Sequence, residues 1–120
     1  MSCLFDSLSK FIPSYSSNNL RKIICDYLIQ NPILMDDLKA EKIIYYDSNT
    51  TLEKYVERMR SNSTWGGSIE IKCFCNIFNM NVTVINIRDN NEKIEFLSSN
   101  KDCKNNVEIT WSGGHYEPIL

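Results

Sequence analysis

The spacing of apolar residues changes near residue 80, and this change constrains the fold more than any other feature of the chain. Before Asn79, apolar residues recur three and four positions apart, which is the spacing of a helix with one buried face. From Val82 onward they alternate with polar residues, as in a strand with one buried face. Helices followed by strands predict an α+β domain, in which helices pack on a small, mainly antiparallel sheet.

Two helices are predicted at the start of the chain. The first covers residues 3–12, where apolar residues follow helical spacing up to a proline. The second is capped by Asn18 or Asn19, carries one apolar stripe, and ends before Pro32. Both stripes are expected to face the core.

Two further helices precede the strands. Thr50 followed by Glu53 is a capping-box pattern, and it predicts a helix through Arg60. Residues 68–79 are apolar on most sides, which predicts a helix packed between other elements. Within residues 33–46, Leu34, Leu38 and Ile43 suit a helix, whereas Ile43-Ile44-Tyr45-Tyr46 also suit an edge strand, and the pattern does not decide between them.

Four strands are predicted after residue 80. Turns rich in Asn, Asp and Ser separate them, and they cover residues 82–87, 94–96, 107–111 and 115–119. Strands that follow one another in this way predict a meander.

Length and charge limit the classes of function. The chain has 120 residues, a net charge of -2 at pH 7 and a pI near 5.4, so we expect a single domain over residues 1–120. Binding to nucleic acid needs a basic face, which this composition does not offer in bulk, so we expect no nucleic-acid partner. The apolar runs fall far short of the roughly 20 residues that span a bilayer, so we expect no membrane partner.

The five cysteines indicate a reducing compartment. Their number is odd, they lack Cys-x-x-Cys spacing, and no signal peptide precedes them. We therefore expect a cytoplasmic location, which is the host cytoplasm for a viral protein. Heavy use of Asn, Ile, Lys, Ser and Tyr is typical of AT-rich genomes, such as those of large DNA viruses or protists. A single histidine and the lack of phosphate-binding motifs predict no metal and no cofactor.

The single histidine, His115, limits imidazole chemistry to one position. Cys3 could supply a nucleophile with His115 as its base. Glu117 would lie on the same side of a strand as His115 and could orient the ring by accepting a hydrogen bond. The structural alternatives are a half-buried histidine at a strand start and a small buried cysteine near a terminus.

The four glycines form two pairs, Gly66-Gly67 and Gly113-Gly114, each before a regular element. Paired glycines usually make tight turns. The alternative is that both pairs leave bare backbone beside a channel for an extended substrate tail.

Separated blocks of the sequence occur in an order known from one protease family. The blocks are Cys3-Leu4-Phe5-Asp6-Ser7-Leu8, Leu20-Arg21, the stretch from Tyr55 through Trp65-Gly66-Gly67-Ser68-Ile69-Glu70-Ile71, Asn81-Val82-Thr83-Val84, and Gly114-His115-Tyr116. Together they resemble the ovarian tumour (OTU) domain cysteine proteases, most of which remove ubiquitin. The resemblance implies an OTU-like fold of the papain-like cysteine protease class.

The resemblance also implies an activity and a site. It predicts a thiol-dependent isopeptidase that removes ubiquitin or a ubiquitin-like modifier from conjugates. Cys3 would be the nucleophile and His115 the general base and then the general acid. Glu117 would orient His115, at a place where the family usually has Asn or Asp. The tail of the modifier would bind along Trp65, Gly66, Gly67, Gly113, Gly114 and Tyr116.

The chain departs from the family at its beginning. The family places Asp-Gly-x directly before its cysteine, where this chain has Met1-Ser2. That loop helps to shape the oxyanion hole, and the loss of one donor there typically costs about 10² to 10³ in rate. Three explanations stay open: a sequence that lacks its true N-terminus, a dispensable loop, or a catalytically impaired relative that binds ubiquitin or a host protein without cleaving it.

Overall fold

The helices come first and the main sheet last, in a computed structural model that describes residues 3–30, 33–35 and 38–120. The helices in these ranges are α1 (Cys3–Ser9), α2 (Ser17–Ile29), α3 (Ala40–Ser48), α4 (Leu52–Met59) and α5 (Ser68–Phe78). The strands are β1 (Ile33–Met35), β2 (Leu38–Lys39), β3 (Asn81–Asn86), β4 (Glu92–Phe96), β5 (Asn106–Trp111) and β6 (Tyr116–Ile119). The predicted α+β class is confirmed. Met1 and Ser2, which stand where the family has Asp-Gly-x, lie outside the described residues. So does Pro32, before which the second helix is expected to end.

The first two helices differ from the prediction at their ends. α1 stops at Ser9, and residues 10–12 continue as turns closed by backbone hydrogen bonds. α2 is capped by Ser16, whose hydroxyl accepts a hydrogen bond from the amide of Asn19 at 3.1 Å. The predicted caps Asn18 and Asn19 are therefore wrong. Several residues in this stretch can cap a helix, and the local sequence does not choose among them.

α4 begins one residue later than the capping-box pattern predicts. Its N-cap is Thr51, whose Oγ1 accepts a hydrogen bond from the amide of Lys54 at 3.3 Å. Thr50 lies outside the helix.

This cap can be tested with two neighbouring threonines. Thr51→Ala is expected to lower the free energy of unfolding by about 1 kcal/mol, because an amide of the first turn loses its acceptor. Thr50→Ala is the matched control and is expected to change it by less than about 0.5 kcal/mol. Urea unfolding measures both, and equal losses would contradict the assignment of the cap.

The edge-strand alternative for Ile43-Ile44-Tyr45-Tyr46 is wrong, because these residues lie in α3, and Leu34 and Leu38 lie in strands and not in a helix. β1 pairs antiparallel with β2, and α3 follows directly. Helix α3 leaves Tyr45 and Tyr46 exposed on its surface.

The main sheet has the strand order β4-β3-β5-β6. β3 pairs antiparallel with β4, and β5 antiparallel with β6, as a mainly antiparallel sheet requires. The predicted meander is wrong at one point, because β5 lies beside β3 and runs parallel to it. The segment between β4 and β5 carries the chain across the start of β3.

Asparagine side chains hold that crossing segment in place. Asn81 accepts a hydrogen bond from the amide of Ser98 at 2.9 Å and donates one to the carbonyl of Cys103 at 3.3 Å. Asn79 accepts one from the hydroxyl of Ser98 at 2.9 Å. These contacts tie the segment to the start of β3 and direct β5 to the far side of that strand.

The core lies between the helices and the sheet, with α5 at its centre. Every residue of α5 from Ile69 to Cys75 is buried, which confirms the prediction of a helix packed between other elements. α1 packs against both α2 and β6. This last contact joins the first helix to the last strand and brings together the two ends of the chain that carry Cys3 and His115. None of the helices in the described ranges has the length and apolar character needed to cross a membrane.

Candidate active site

Cys3, His115 and Glu117 lie around one shallow cavity of about 190 Å³. Cys3 is the first residue of α1, and His115 directly precedes β6. Tyr116 lines the same cavity. The packing of α1 on β6 therefore brings Cys3 together with His115, Tyr116 and Glu117, which lie near the other end of the sequence.

The other cysteines are poor candidates for a nucleophile. Cys25, Cys73 and Cys75 are fully buried. Burial raises the pKa of Cys25 and of Cys75 to about 11, and it raises that of Cys73 as well. A thiol in such surroundings stays protonated and inert.

Cys103 is half-buried but lies at the wrong end of the sheet. Its thiol donates to the carbonyl of Asn79 at 3.1 Å, beside the start of β3. His115 follows the end of β5, and six residues of strand separate the two ends by roughly 20 Å. Cys3 is the cysteine that shares a cavity with the histidine.

A tight turn fixes the position of His115. The amide and the hydroxyl of Ser112 both donate to the carbonyl of His115, at 3.0 Å and 3.3 Å. Glu117 Oε1 lies 3.3 Å from Nε2 of His115, as the two-residue spacing on a strand predicts. A proton on Nε2 satisfies this contact, which leaves Nδ1 as the nitrogen that can act as a base. The side chains of His115 and Glu117 are 57% and 68% exposed, so the contact orients the ring but adds little stability.

The first glycine pair contacts the helix that begins at Cys3. A β-carbon on Gly66 would lie 2.7 Å from Cδ2 of Leu4 and 3.0 Å from the ring of Phe5. Both of those side chains are buried, so Gly66 is required for the close approach of its loop to α1. A β-carbon on Gly67 would meet nothing within 4 Å.

The second glycine pair forms the turn that leads to His115. Gly113 has a φ of +102°, which few residues other than glycine adopt, and the side chain of Arg88 fills the space that a β-carbon would need. A β-carbon on Gly114 would lie 3.5 Å from the ring of Trp65. Trp65 is 53% exposed, so its ring is accessible beside the histidine turn. The two glycine-containing loops therefore meet at Trp65.

A sequence model of the family described as OTU-like cysteine protease matches residues 2–116. The chain belongs to this family.

This OTU domain is similar in sequence to curated proteins that are longer than it. It is 25% identical over 123 residues to the ubiquitin thioesterase OTU1 of Rattus norvegicus, covering 98% of this chain and 33% of that protein. It is 24% identical over 118 residues to the ubiquitin thioesterase Otu1 of Drosophila melanogaster, covering 98% and 32%. The chain spans about a third of the length of these curated relatives.

Solved structures show the same fold. An OTU domain in complex with ubiquitin superposes with a TM-score of 0.78 at 23% identity, over 98% of this chain and 62% of that one. An OTU deubiquitinase from Wolbachia pipientis wMel gives 0.69 at 23% identity, over 99% and 82%. The viral OTU protease of Dera Ghazi Khan virus gives 0.63 at 17% identity, over 98% and 72%. The expected OTU-like fold is therefore confirmed.

Tyr116 also takes part in the packing of this OTU domain. It is half-buried and packs against the hydrophobic core. Burial raises the pKa of its hydroxyl, and the neighbouring Cys3 and Glu70 raise it further. Its ring thus forms a wall of the cavity beside Cys3.

Sequence reasoning gave no role to a buried polar cluster beside this site. Glu70 is fully buried on α5, and its carboxylate accepts hydrogen bonds from the hydroxyl of Tyr55 and from the amide of Gly67. A glutamate between Ile69 and Ile71, in a helix that is apolar on most sides, is the signal that could have identified it. No group of three or more His, Cys, Asp or Glu residues that could hold a metal ion occurs within the described ranges.

Proposed function

We propose that this OTU domain is a thiol isopeptidase that removes ubiquitin, or a ubiquitin-like modifier, from conjugates. The observation that carries the proposal is the cavity shared by Cys3 and the His115–Glu117 pair. Support for the substrate comes from the relatives, which are ubiquitin thioesterases, and from the related OTU domain solved in complex with ubiquitin.

Cys3 and His115 can carry out the reaction in two stages, acylation and hydrolysis, as in other thiol proteases. Nδ1 of His115 takes the proton of the Cys3 thiol, and the sulfur attacks the carbonyl carbon at the end of the modifier's tail. His115 then returns the proton to the nitrogen of the departing lysine side chain, which leaves a thioester on Cys3. Water, deprotonated by His115, hydrolyses the thioester and releases the modifier with a free carboxylate.

The glycine-containing loops suit an extended tail. Gly67 and Gly114 leave open space beside the backbone near Trp65, whereas Gly66 and Gly113 are covered by neighbouring side chains and hold their loops in place. An extended chain that ends in small residues can pass close to such backbone, which places its terminal carbonyl near Cys3. Tyr116 closes the cavity on the core side.

We also propose a cytoplasmic location. A thiol nucleophile works only where it stays reduced, and none of the five cysteines forms a disulfide.

The proposal predicts cleavage of two substrates, ubiquitin with a fluorogenic amide at its C-terminus and lysine-linked diubiquitin. The wild-type protein is expected to cleave both, Cys3→Ala neither, and the control Cys103→Ala both at the wild-type rate. Cleavage by Cys3→Ala would contradict the assigned nucleophile. Ubiquitin binding without any cleavage by the wild-type protein would instead identify a non-catalytic binding module.

The role of Glu117 is tested with two substitutions. Glu117→Ala is expected to lower kcat by about tenfold, because the imidazole loses its orienting acceptor but remains solvated at this exposed position. Glu117→Gln keeps an acceptor oxygen and is expected to retain most of the activity. Steady-state cleavage of the fluorogenic substrate gives both values. A wild-type kcat for Glu117→Ala would exclude an orienting role.

A further inference from the structure

Glu70 is a buried carboxylate that needs a physical explanation. It is 1% exposed, and a buried charge is costly unless it is paired. Each oxygen has its own donor: the hydroxyl of Tyr55 lies 2.6 Å from Oε2, and the amide of Gly67 lies 2.8 Å from Oε1. Burial raises the pKa of this carboxyl, and the two hydrogen bonds act in the opposite direction. Both donors therefore stabilise the charged form.

Arg21 extends the buried cluster from Glu70 to the helix of the nucleophile. Its guanidinium is 4.2 Å from the centre of the Phe5 ring and donates to the carbonyl of Met59 at 2.8 Å. Burial lowers the pKa of Arg21, while the nearby Cys25 and Glu70 raise it. Phe5 lies two residues after Cys3 and contacts the loop at Gly66. The cluster thus reaches the start of α1 through the Phe5 ring.

The loop formed by residues 65–67 is held at two consecutive residues. Gly66 packs against Leu4 and Phe5 of α1, and the amide of Gly67 is bound by Glu70. The ring of the preceding residue, Trp65, lies beside Gly114 in the turn that leads to His115, 3.5 Å from where a β-carbon on Gly114 would stand. The loop therefore touches both the helix of the nucleophile and the turn of the base.

We propose that Glu70, held by Tyr55, is a positioning residue that sets this loop against the start of α1 and against the turn that leads to His115. The inference rests on the proposed isopeptidase activity, since the loop would bind the tail of the modifier. A purely structural role, in which Glu70 only caps α5 and stabilises the core, is the competing explanation. In the positioning role, the loss of activity on changing Glu70 or Tyr55 arises from displacement of Trp65 and its loop. In the structural role, the loss of activity does not depend on Trp65.

The test measures kcat/KM for ubiquitin with a C-terminal fluorogenic amide, at a temperature where circular dichroism shows every variant folded. Tyr55→Phe removes one hydroxyl and is expected to lower kcat/KM by about tenfold, the loss typical of one hydrogen bond to a buried charge. Glu70→Gln keeps the shape and is the second variant, with the same direction of change. Tyr46→Phe and Glu57→Gln alter exposed residues of the same types and serve as matched controls at wild-type kcat/KM.

Two further measurements distinguish positioning of the loop by Glu70 from a purely structural role of this residue. Alkylation of Cys3 by iodoacetamide, followed by mass spectrometry of its peptide, needs no loop and is expected to proceed at the wild-type rate in Tyr55→Phe. In a Trp65→Ala background, Tyr55→Phe is expected to cause little additional loss of kcat/KM, since both changes act on one loop.

Three results would overturn the inference. The first is a wild-type kcat/KM for both Tyr55→Phe and Glu70→Gln, and the second is a tenfold loss that persists unchanged in the Trp65→Ala background. The third is a loss of Cys3 alkylation in Tyr55→Phe as large as the loss of kcat/KM, which would show that the substitution acts on the Cys3 thiol and not on the loop. If the wild-type protein cleaves no ubiquitin substrate, both the proposed function and the positioning role are overturned. If the wild-type protein is active and one of the three results is obtained, only the positioning role is overturned.

Discussion

His115→Ala is expected to lower kcat for a ubiquitin conjugate by about 10³-fold, with little change in KM, since general acid–base catalysis contributes about 10² to 10⁴. The chain has no other histidine, so no second imidazole can replace the base. The same substitution also removes the acid that protonates the leaving amine. Steady-state kinetics with the fluorogenic substrate measures the loss.

Binding supplies the control for this variant. His115 is 57% exposed, and its side chain makes its ion-pair contact with Glu117 alone among the described residues, so the fold is expected to survive its removal. The affinity for ubiquitin, measured by titration calorimetry on Cys3→Ala and on the Cys3→Ala/His115→Ala double variant, is expected to stay the same. A kcat within tenfold of wild type would contradict the role of His115 as base.

Gly66→Ala is expected to lower the free energy of unfolding by about 2 kcal/mol, the usual cost of an added carbon in a filled core. The added β-carbon would lie 2.7 Å from a methyl of Leu4 and 3.0 Å from the Phe5 ring, and both side chains are buried. The strain would displace the start of α1, so activity is expected to fall as well. Urea unfolding and fluorogenic cleavage measure the two effects.

Gly67→Ala is the matched control and separates the two interpretations of the glycine pairs. Its β-carbon meets no protein atom within 4 Å, so stability is expected to change by less than about 1 kcal/mol. The added methyl would project into the cavity of about 300 Å³ that Trp65 and both glycines line. If the substrate tail passes there, KM rises by about tenfold or more, the effect of one misplaced methyl in a tight site. An unchanged KM would favour the interpretation as a plain turn.

The elements with a strong local pattern could be predicted from the sequence. α5 and α4 have marked apolar faces, and β3 begins with the alternation Val82-Thr83-Val84, so their existence follows from hydrophobic spacing. The N-caps of α2 and α4 could not be placed, since neighbouring residues have equal ability to cap. The parallel pairing of β3 with β5 could not be predicted either. Alternation identifies a strand but not its neighbour, and side chains of Asn79 and Asn81, distant in sequence from β5, direct the crossing.

For the candidate site as well, the sequence identifies some residues, and other features become visible only in the folded chain. Cys3 and His115 could be selected because a single histidine limits the choice and the order of blocks resembles a family. Their meeting at one cavity depends on the packing of α1 on β6, which no local pattern encodes. The cluster of Arg21, Tyr55 and Glu70 could not be assigned a role, because burial is a property of the folded chain.

Covalent capture tests whether Cys3 is the nucleophile that attacks the C-terminus of ubiquitin. Ubiquitin with an electrophile at its C-terminus is incubated with the protein, and the adduct is located by peptide mass spectrometry. A single ubiquitin is expected on Cys3, lost in Cys3→Ala and retained in Cys103→Ala. Absence of an adduct on the wild-type protein, or an adduct that survives Cys3→Ala, would contradict it.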